Sequence, residues 1–178
     1  MQWLNEPSNW KVHHTTIEIT SDRNTDFWRK THYGFIRDTG HFYYQPVTGN
    51  FVAEVKVSGR YQDLYDQAGL MVRVDEKNWL KCGIELVDRL QQVSAVVTRD
   101  YSDWSILPIS DNPISIWLKV TRQKEAIEIN YSLDGQQYDL LRMTYLPISE
   151  TVDVGIMCAS PQGRGFTTTF KNFKIKSC

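Results

Sequence analysis

Apolar and polar residues alternate with a period of two through one short stretch of this chain after another, and turn-forming residues break each stretch. Side chains alternate across an extended strand, so the pattern sorts every stretch into a buried face and a second face. Residues 51–58 set Phe51, Ala53, Val55 and Val57 against Val52, Glu54, Lys56 and Ser58, and Gly59 ends the run. Residues 67–74 set Ala68, Leu70, Val72 and Val74 against Gln67, Gly69, Met71 and Arg73. The stretches 114–121 and 125–132 read as the next pair, and Asp134-Gly135 signals a turn before Tyr138 to Met143. Val152 to Ala159 is apolar, and Phe166 to Lys176 reads as a last strand with a bulge before Phe173 and Ile175. No window carries a helical period. Many even strands without repeats or a linker predict an all-β sandwich, one domain over residues 1–178.

Composition narrows the class. With 41% hydrophobic and 23% charged residues the chain reads as a soluble globular protein. A formal net charge of −1 gives no electrostatic case for nucleic acid or an anionic membrane as partner. No apolar run approaches the ~20 residues that span a bilayer. Residues Met1 to Glu6 lack the basic and apolar regions of a secretory signal. Cys82 and Cys158 sit inside apolar strand patterns and read as buried free thiols of a reducing compartment. A cytoplasmic location is therefore expected.

The stretch Trp79-Leu80-Lys81-Cys82-Gly83-Ile84-Glu85-Leu86 carries the functional expectation. Leu80, Cys82, Ile84 and Leu86 form a core face. Trp79, Lys81, Gly83 and Glu85 put an aromatic plate, a cation, a gap and a carboxylate on the other face, the kit of a polar ligand site. Gly69 and Gly83 forgo strand propensity on this face, as if to leave room for a ligand or loop.

Register brings in the neighbours. Keeping apolar faces together requires even-with-even pairing of 67–74 with 79–86. One register puts Gln67 opposite Glu85, Met71 opposite Lys81 and Arg73 opposite Trp79; the other opposes Arg73 and Lys81, a like-charge pair. In the next hairpin, Ile84 opposite Ala95 and Cys82 opposite Val97 would set Glu85 opposite Ser94 and Lys81 opposite Thr98.

The segments Asp26-Phe27-Trp28-Arg29-Lys30-Thr31, Asp66-Gln67-Ala68-Gly69-Leu70-Met71, Trp79-Leu80-Lys81-Cys82-Gly83-Ile84-Glu85, Ser102-Asp103-Trp104-Ser105 and Ser160-Pro161-Gln162-Gly163, in this order, resemble domain-of-unknown-function family 1349, also described as regulation-of-enolase-1-like. The resemblance covers nearly the whole chain. It implies a concanavalin A-like (lectin/glucanase) sandwich, or jelly roll, of two curved antiparallel sheets, with ligands on the concave sheet. It implies no established activity, although some members are described as regulators of sugar metabolism or of enolase. Laminarinase-like relatives of the wider fold carry Glu-x-Asp-x-x-Glu on one strand. Glu85-Leu86-Val87-Asp88 departs from that pattern after its first Glu, so a catalytic role is not carried over.

The first expectation is a non-catalytic module whose concave face binds a carbohydrate-like ligand, with a regulatory link to sugar metabolism. Gln67, Ser94 and Thr98 would supply neutral hydrogen bonds, and Lys81 and Glu85 charge-assisted ones. Trp79, Trp104 or Trp28 would stack on a sugar ring, with Asp103 beside Trp104 on the rim. The alternatives are a protein-interaction or regulatory domain meeting a protein partner through the same patch, and a glycoside hydrolase or lyase. A glycosidase needs a second carboxylate about 5–9.5 Å from Glu85, with Asp66 and Asp103 as the candidate suppliers. Arg29 and Lys30 either reach the site or pair with Asp26. The four histidines show no ligand spacing, adjacent His13 and His14 being expected to point opposite ways, and neither metal nor cofactor is expected.

Overall fold

Two antiparallel sheets of the computed structural model face one another across a shared apolar layer; residues 1–110, 112–147 and 149–178 are described. Among these residues the first sheet has seven strands. They run in the order β1 (Gln2–Leu4), β6 (His41–Thr48), β15 (Thr151–Ala159), β8 (Gln67–Arg73), β9 (Asn78–Val87), β10 (Leu90–Arg99) and β11 (Tyr101–Pro108). The second runs β14 (Asp139–Tyr145), β13 (Ala126–Ser132), β12 (Ile116–Gln123), β7 (Phe51–Gly59), β16 (Thr167–Ser177), β3 (Thr16–Thr20) and β2 (Asn9–His13). A separate hairpin joins β4 (Phe27–Arg29) to β5 (Ile36–Asp38). This is the all-β, concanavalin A-like sandwich that the alternating pattern and the family resemblance imply. No helix of the described residues is long and apolar enough to cross a membrane.

The faces read from the sequence hold. Ala68, Leu70, Val72, Leu80, Cys82 and Ile84 of the first sheet pack with Val55, Val57, Leu118 and Val120 of the second in one core cluster. The β8–β9 register is the expected one, with Gln67 opposite Glu85, Met71 opposite Lys81 and Arg73 opposite Trp79. The bulge in the last strand lies between Lys171 and Lys174, just where Phe173 was expected to follow one.

The β9–β10 register differs by two residues. Ile84 pairs with Val93, Gly83 with Ser94, Lys81 with Val96 and Trp79 with Thr98. The cause is the turn: Asp88 and Arg89, at φ 52° and 65°, form a two-residue connection between the paired Val87 and Leu90. Two successive left-handed residues make the tight hairpin turn whose twist suits its strands, and it admits no longer loop. Asp-Arg is not the Asn-Gly signal that announces such a turn. A second local departure is His14, whose φ of 53° brings its ring to 4.3 Å from that of His13 rather than sending it the opposite way.

Gly69 and Gly83 oppose each other directly. A Cβ on Gly69 would lie 1.9 Å from the Cys82 carbonyl oxygen, and one on Gly83 would lie 2.0 Å from that of Ala68. These glycines serve the close approach of two backbones and not space for a ligand.

Over the outer face of the first sheet lies a second, smaller apolar cluster that the strand pattern did not foretell. The β4–β5 hairpin lays Phe27 and Trp28 on Phe42, Met71, Trp79, Val96 and Met157. Phe27 and Trp79 meet at 6.1 Å between ring centroids. Polar ties hold the hairpin at both flanks. Arg73 donates a bidentate pair to Asp38 at 2.7 and 2.8 Å. On the other side Asp100 accepts from Arg29 at 2.8 Å and from Lys30 at 2.6 Å, so both cations turn to Asp100 and away from Asp26.

Candidate functional site

Half of the polar face predicted for ligand is roofed by that hairpin. Trp79 is 1% exposed and Thr98 is 0% exposed. Thr98 shares a 2.9 Å hydrogen bond with Ser102, whose hydroxyl accepts the Arg29 backbone N–H, also at 2.9 Å. Both residues sit in the seat of the hairpin, so the expectation that they contact a ligand is corrected. A period-two pattern tells which side of a sheet a residue faces and is silent on what lies above it.

What remains open is a small recess at the Glu85 end of the face, with a cavity volume of about 30 Å³. Its polar floor is Asp26, Gln67, Lys81 and Glu85, and its walls are Trp28, Tyr33, Tyr65 and Trp104, with Pro161 at the edge. Of the nine residues expected to bind ligand, Gln67, Lys81, Glu85, Trp28 and Trp104 thus line one recess. Ser94 reaches it indirectly, by donating to Glu85. Asp103 lies outside, in an adjoining groove with Trp28, Tyr33 and Trp104, and bonds Arg142 at 2.7 Å.

The floor is tightly wired. Lys81 Nζ donates to the Phe27 carbonyl at 2.8 Å and to Gln67 Oε1 at 2.5 Å, and lies 3.5 Å from Asp26 Oδ1. An ammonium has three protons, so Lys81 is largely committed to holding the hairpin. Glu85 Oε2 accepts from Ser94 Oγ at 2.7 Å and from Trp104 Nε1 at 2.9 Å. Among the described residues, no group donates to Glu85 Oε1 or to Asp26 Oδ2. The uncommitted polar atoms of the recess floor are therefore acceptors, which suit a ligand that donates.

Electrostatics follow the burial. Desolvation lifts the Glu85 carboxyl above its ordinary range; Lys81 and the bonds from Ser94 and Trp104 pull it down, Asp26 pushes it up, and burial prevails. Tyr65 is raised to about 12, first by its hydrogen bond with Tyr33 and then by burial. Tyr65 is therefore neutral at ordinary pH, and the two hydrogen-bonded phenols offer donors or stacking faces.

The aromatic walls are fixed in place. Trp104 spends its indole N–H on Glu85, and Trp28 donates its own to the Thr31 carbonyl at 2.8 Å. Tyr65 stands edge-on to Trp104 with centroids 6.1 Å apart, and Tyr33 edge-on to Trp28 at 5.7 Å. With both N–H groups consumed, the indoles have only their faces to offer.

Four lining residues were missed in the strand reading: Asp26, Tyr33, Tyr65 and Pro161. Asp26 enters because the hairpin folds over the sheet, and Phe27 N–H donates to its Oδ1 at 2.8 Å. Tyr65 stands at φ 67° in the bend before β8. Pro161 is set by Ser160, whose hydroxyl donates to Asp66 Oδ1 at 2.6 Å. Asp66 is fully buried and also accepts the Gln62 and Asp63 amides at 2.9 and 3.0 Å. It braces the rim and supplies no second carboxylate. The carboxylate that shares the recess with Glu85 is Asp26, not Asp66 or Asp103. One signal was available: each of the five segments that carry the family resemblance contributes a residue to this recess.

Fold and recess together define a concanavalin A-like sandwich whose outer face holds an aromatic-walled, acceptor-rich pocket under a docked hairpin. The chain belongs to the family described as protein of unknown function (DUF1349), which it matches over residues 3–178. It is 40% identical over 173 residues to "Regulation of enolase protein 1" of Saccharomyces cerevisiae, covering 97% of this chain and 87% of that protein. A solved Saccharomyces cerevisiae protein of unknown function superposes with TM-score 0.96 at 39% identity, over 99% of this chain and 96% of that one. The GH43 protein BlXynB of Bacillus licheniformis shares the fold with TM-score 0.72 at 16% identity, over 97% of this chain but 36% of its own length. Among the described residues no group of three or more His, Cys, Asp or Glu could hold a metal ion.

Proposed function

We propose that this protein is a binding module for a neutral, hydroxyl-rich, carbohydrate-like ligand that lies over the Glu85 recess and points a hydroxyl into it. The observation that carries the reading is the pairing of donor-free carboxylate oxygens on Asp26 and Glu85 with indole and phenol walls. Sugar hydroxyls donate to such oxygens, and the C–H faces of a sugar ring stack on aromatic planes. An anion is disfavoured, because Lys81 is already committed and two carboxylates line the floor. The name of the 40%-identical yeast relative speaks of regulation of enolase; on that likeness the bound sugar would act as a signal in sugar metabolism. A cytoplasmic location belongs to the same reading. A flat protein-docking role fits less well, since Lys81 and Glu85 are 5% and 6% exposed at the bottom of the recess.

A catalytic reading, as glycoside hydrolase or lyase, has one observation behind it. Asp26 brings a second carboxylate into the space that Glu85 lines. Calorimetry against a sugar panel, with turnover followed on the same mixtures, tests both. Binding without turnover that is lost in Glu85→Gln supports the module. Turnover lost in both Asp26→Asn and Glu85→Gln supports the enzyme. Neither binding nor turnover at about 10 mM, where Kd values even weaker than millimolar register, would sink the two together.

A further inference from the structure

We propose that an amino sugar binds this site more tightly than its neutral parent, its primary ammonium entering the Glu85 recess in place of a hydroxyl; this rests on the carbohydrate-like reading above. Charge is the first argument. Three carboxylates around the docked hairpin have cations of their own: Asp38 pairs with Arg73, Asp100 with Arg29 and Lys30, and Asp26 lies 3.5 Å from Lys81. Glu85 is buried and forms no ion pair among the described residues. Its hydrogen-bond donors, the Ser94 hydroxyl and the Trp104 indole, are both neutral. Asp26 and Glu85 thus share the recess with one cation, Lys81, and one positive charge is missing. Buried charges are ordinarily paired, and a cation that arrives with the ligand completes the pair.

Space and hydrogen bonding point the same way. The cavity of about 30 Å³ matches the roughly 30 Å³ that one water takes up in the liquid, and an ammonium head is of that size. Two acceptor atoms, Glu85 Oε1 and Asp26 Oδ2, receive no proton from a described residue. A hydroxyl has one proton and satisfies one of them, whereas an ammonium has three and can serve both. The walls add to the preference. Trp28 and Trp104 spend their indole N–H groups internally, and with Tyr33 and Tyr65 they ring the recess with aromatic surface. Aromatic faces attract a cation through their quadrupole. The same small volume selects among amines: a quaternary ammonium or an N-acetyl group is wider than one water and stays outside.

The test compares each sugar with its own amine. Calorimetry at about pH 7, below the pKa of about 8 typical of an α-amino group, takes glucose, galactose and mannose, each as parent, 2-amino, 6-amino and N-acetylamino sugar. Butylammonium serves as an amine without a sugar. In the series that binds, the better amino sugar is expected to bind about tenfold more tightly than the parent, a difference of about 1.4 kcal/mol. The N-acetylamino sugar, whose nitrogen carries no charge, should show no such gain. Glu85→Gln, which keeps an acceptor for Ser94 and Trp104, should abolish the gain, and Asp26→Asn should reduce it. Amino sugars no tighter than their parents would overturn the ammonium and leave the carbohydrate reading standing. A gain that survives in both variants would overturn its placement in this recess. Binding of butylammonium without binding of any sugar would overturn the carbohydrate reading and keep the ammonium site. No binding by any of these compounds would overturn both.

Discussion

Ser94 stands opposite Gly83, not Glu85, yet its hydroxyl donates to Glu85 Oε2 at 2.7 Å. The bond runs diagonally across the β9–β10 pair, a reach open to neighbours two positions off register. Gly83 has no side chain to stand between them. Ser94 and Trp104 together hold the carboxylate with one oxygen engaged and the other free. Ser94→Ala is therefore expected to raise the Glu85 pKa above its already elevated wild-type value. Carboxyl-carbon NMR of labelled Glu85 reads this directly; an unchanged titration would show that the bond does not stabilise the charged form.

The raised pKa of Glu85 makes stability depend on pH in a defined direction. Below about pH 4.3, the unperturbed glutamate value, the residue is neutral whether folded or unfolded. As pH rises toward the folded-state value, the unfolded chain ionises freely while the folded one resists, so stability is lost. Gln at position 85 keeps an acceptor for Ser94 and Trp104 without the charge. Thermal melts from about pH 4 to about pH 8 should show Glu85→Gln gaining on the wild type as pH rises. A gap that narrows over that range would contradict the assignment.

Lys81 is expected to matter more for folding than for binding. Its removal strands the Phe27 carbonyl, Gln67 Oε1 and Asp26 in a buried site. Breaking a buried pair by deleting one partner costs about 3 kcal/mol. Lys81→Ala should therefore lower the urea midpoint strongly and loosen the hairpin, seen as faster hydrogen exchange at Phe27 to Arg29. A variant with wild-type stability would show that the cation is not the hairpin's anchor.

Gly83→Ala offers a sharper structural test. The added methyl meets the Ala68 carbonyl oxygen and carbon at 2.0 and 2.7 Å and Gly69 Cα at 2.8 Å, all backbone atoms that cannot step aside. A loss of about 3 kcal/mol or more is expected from such overpacking. Soluble expression with a wild-type melting temperature would refute the close approach of β8 and β9.

The three cysteines should separate in a thiol titration. Cys82 and Cys158 are buried, with the Cys82 thiol pushed up to about 12 by desolvation, whereas Cys178 is exposed. A thiol-reactive dye should label one site in the native protein and three after unfolding. Fast labelling of more than one native thiol would mean that the sandwich opens around them.

Alternation over 51–58, 67–74 and 79–86 was enough to assign the core faces, because a strand with one buried side can shift register only in steps of two without turning its apolar set to water. That argument placed Gln67 opposite Glu85 correctly. It left the β9–β10 pairing free by two, and the left-handed Asp88-Arg89 turn chose between the options. The same alternation put Trp79, Lys81, Gly83 and Glu85 on one face but could not tell a roofed position from an open one. Tertiary structure decided that: the β4–β5 hairpin buries Trp79 under Phe27, engages Lys81 and delivers Asp26 beside Glu85. The physical reason is one of range. Period-two patterning reflects burial along a single strand, whereas the recess is made by loops distant in sequence, whose docking depends on side-chain packing and paired charges.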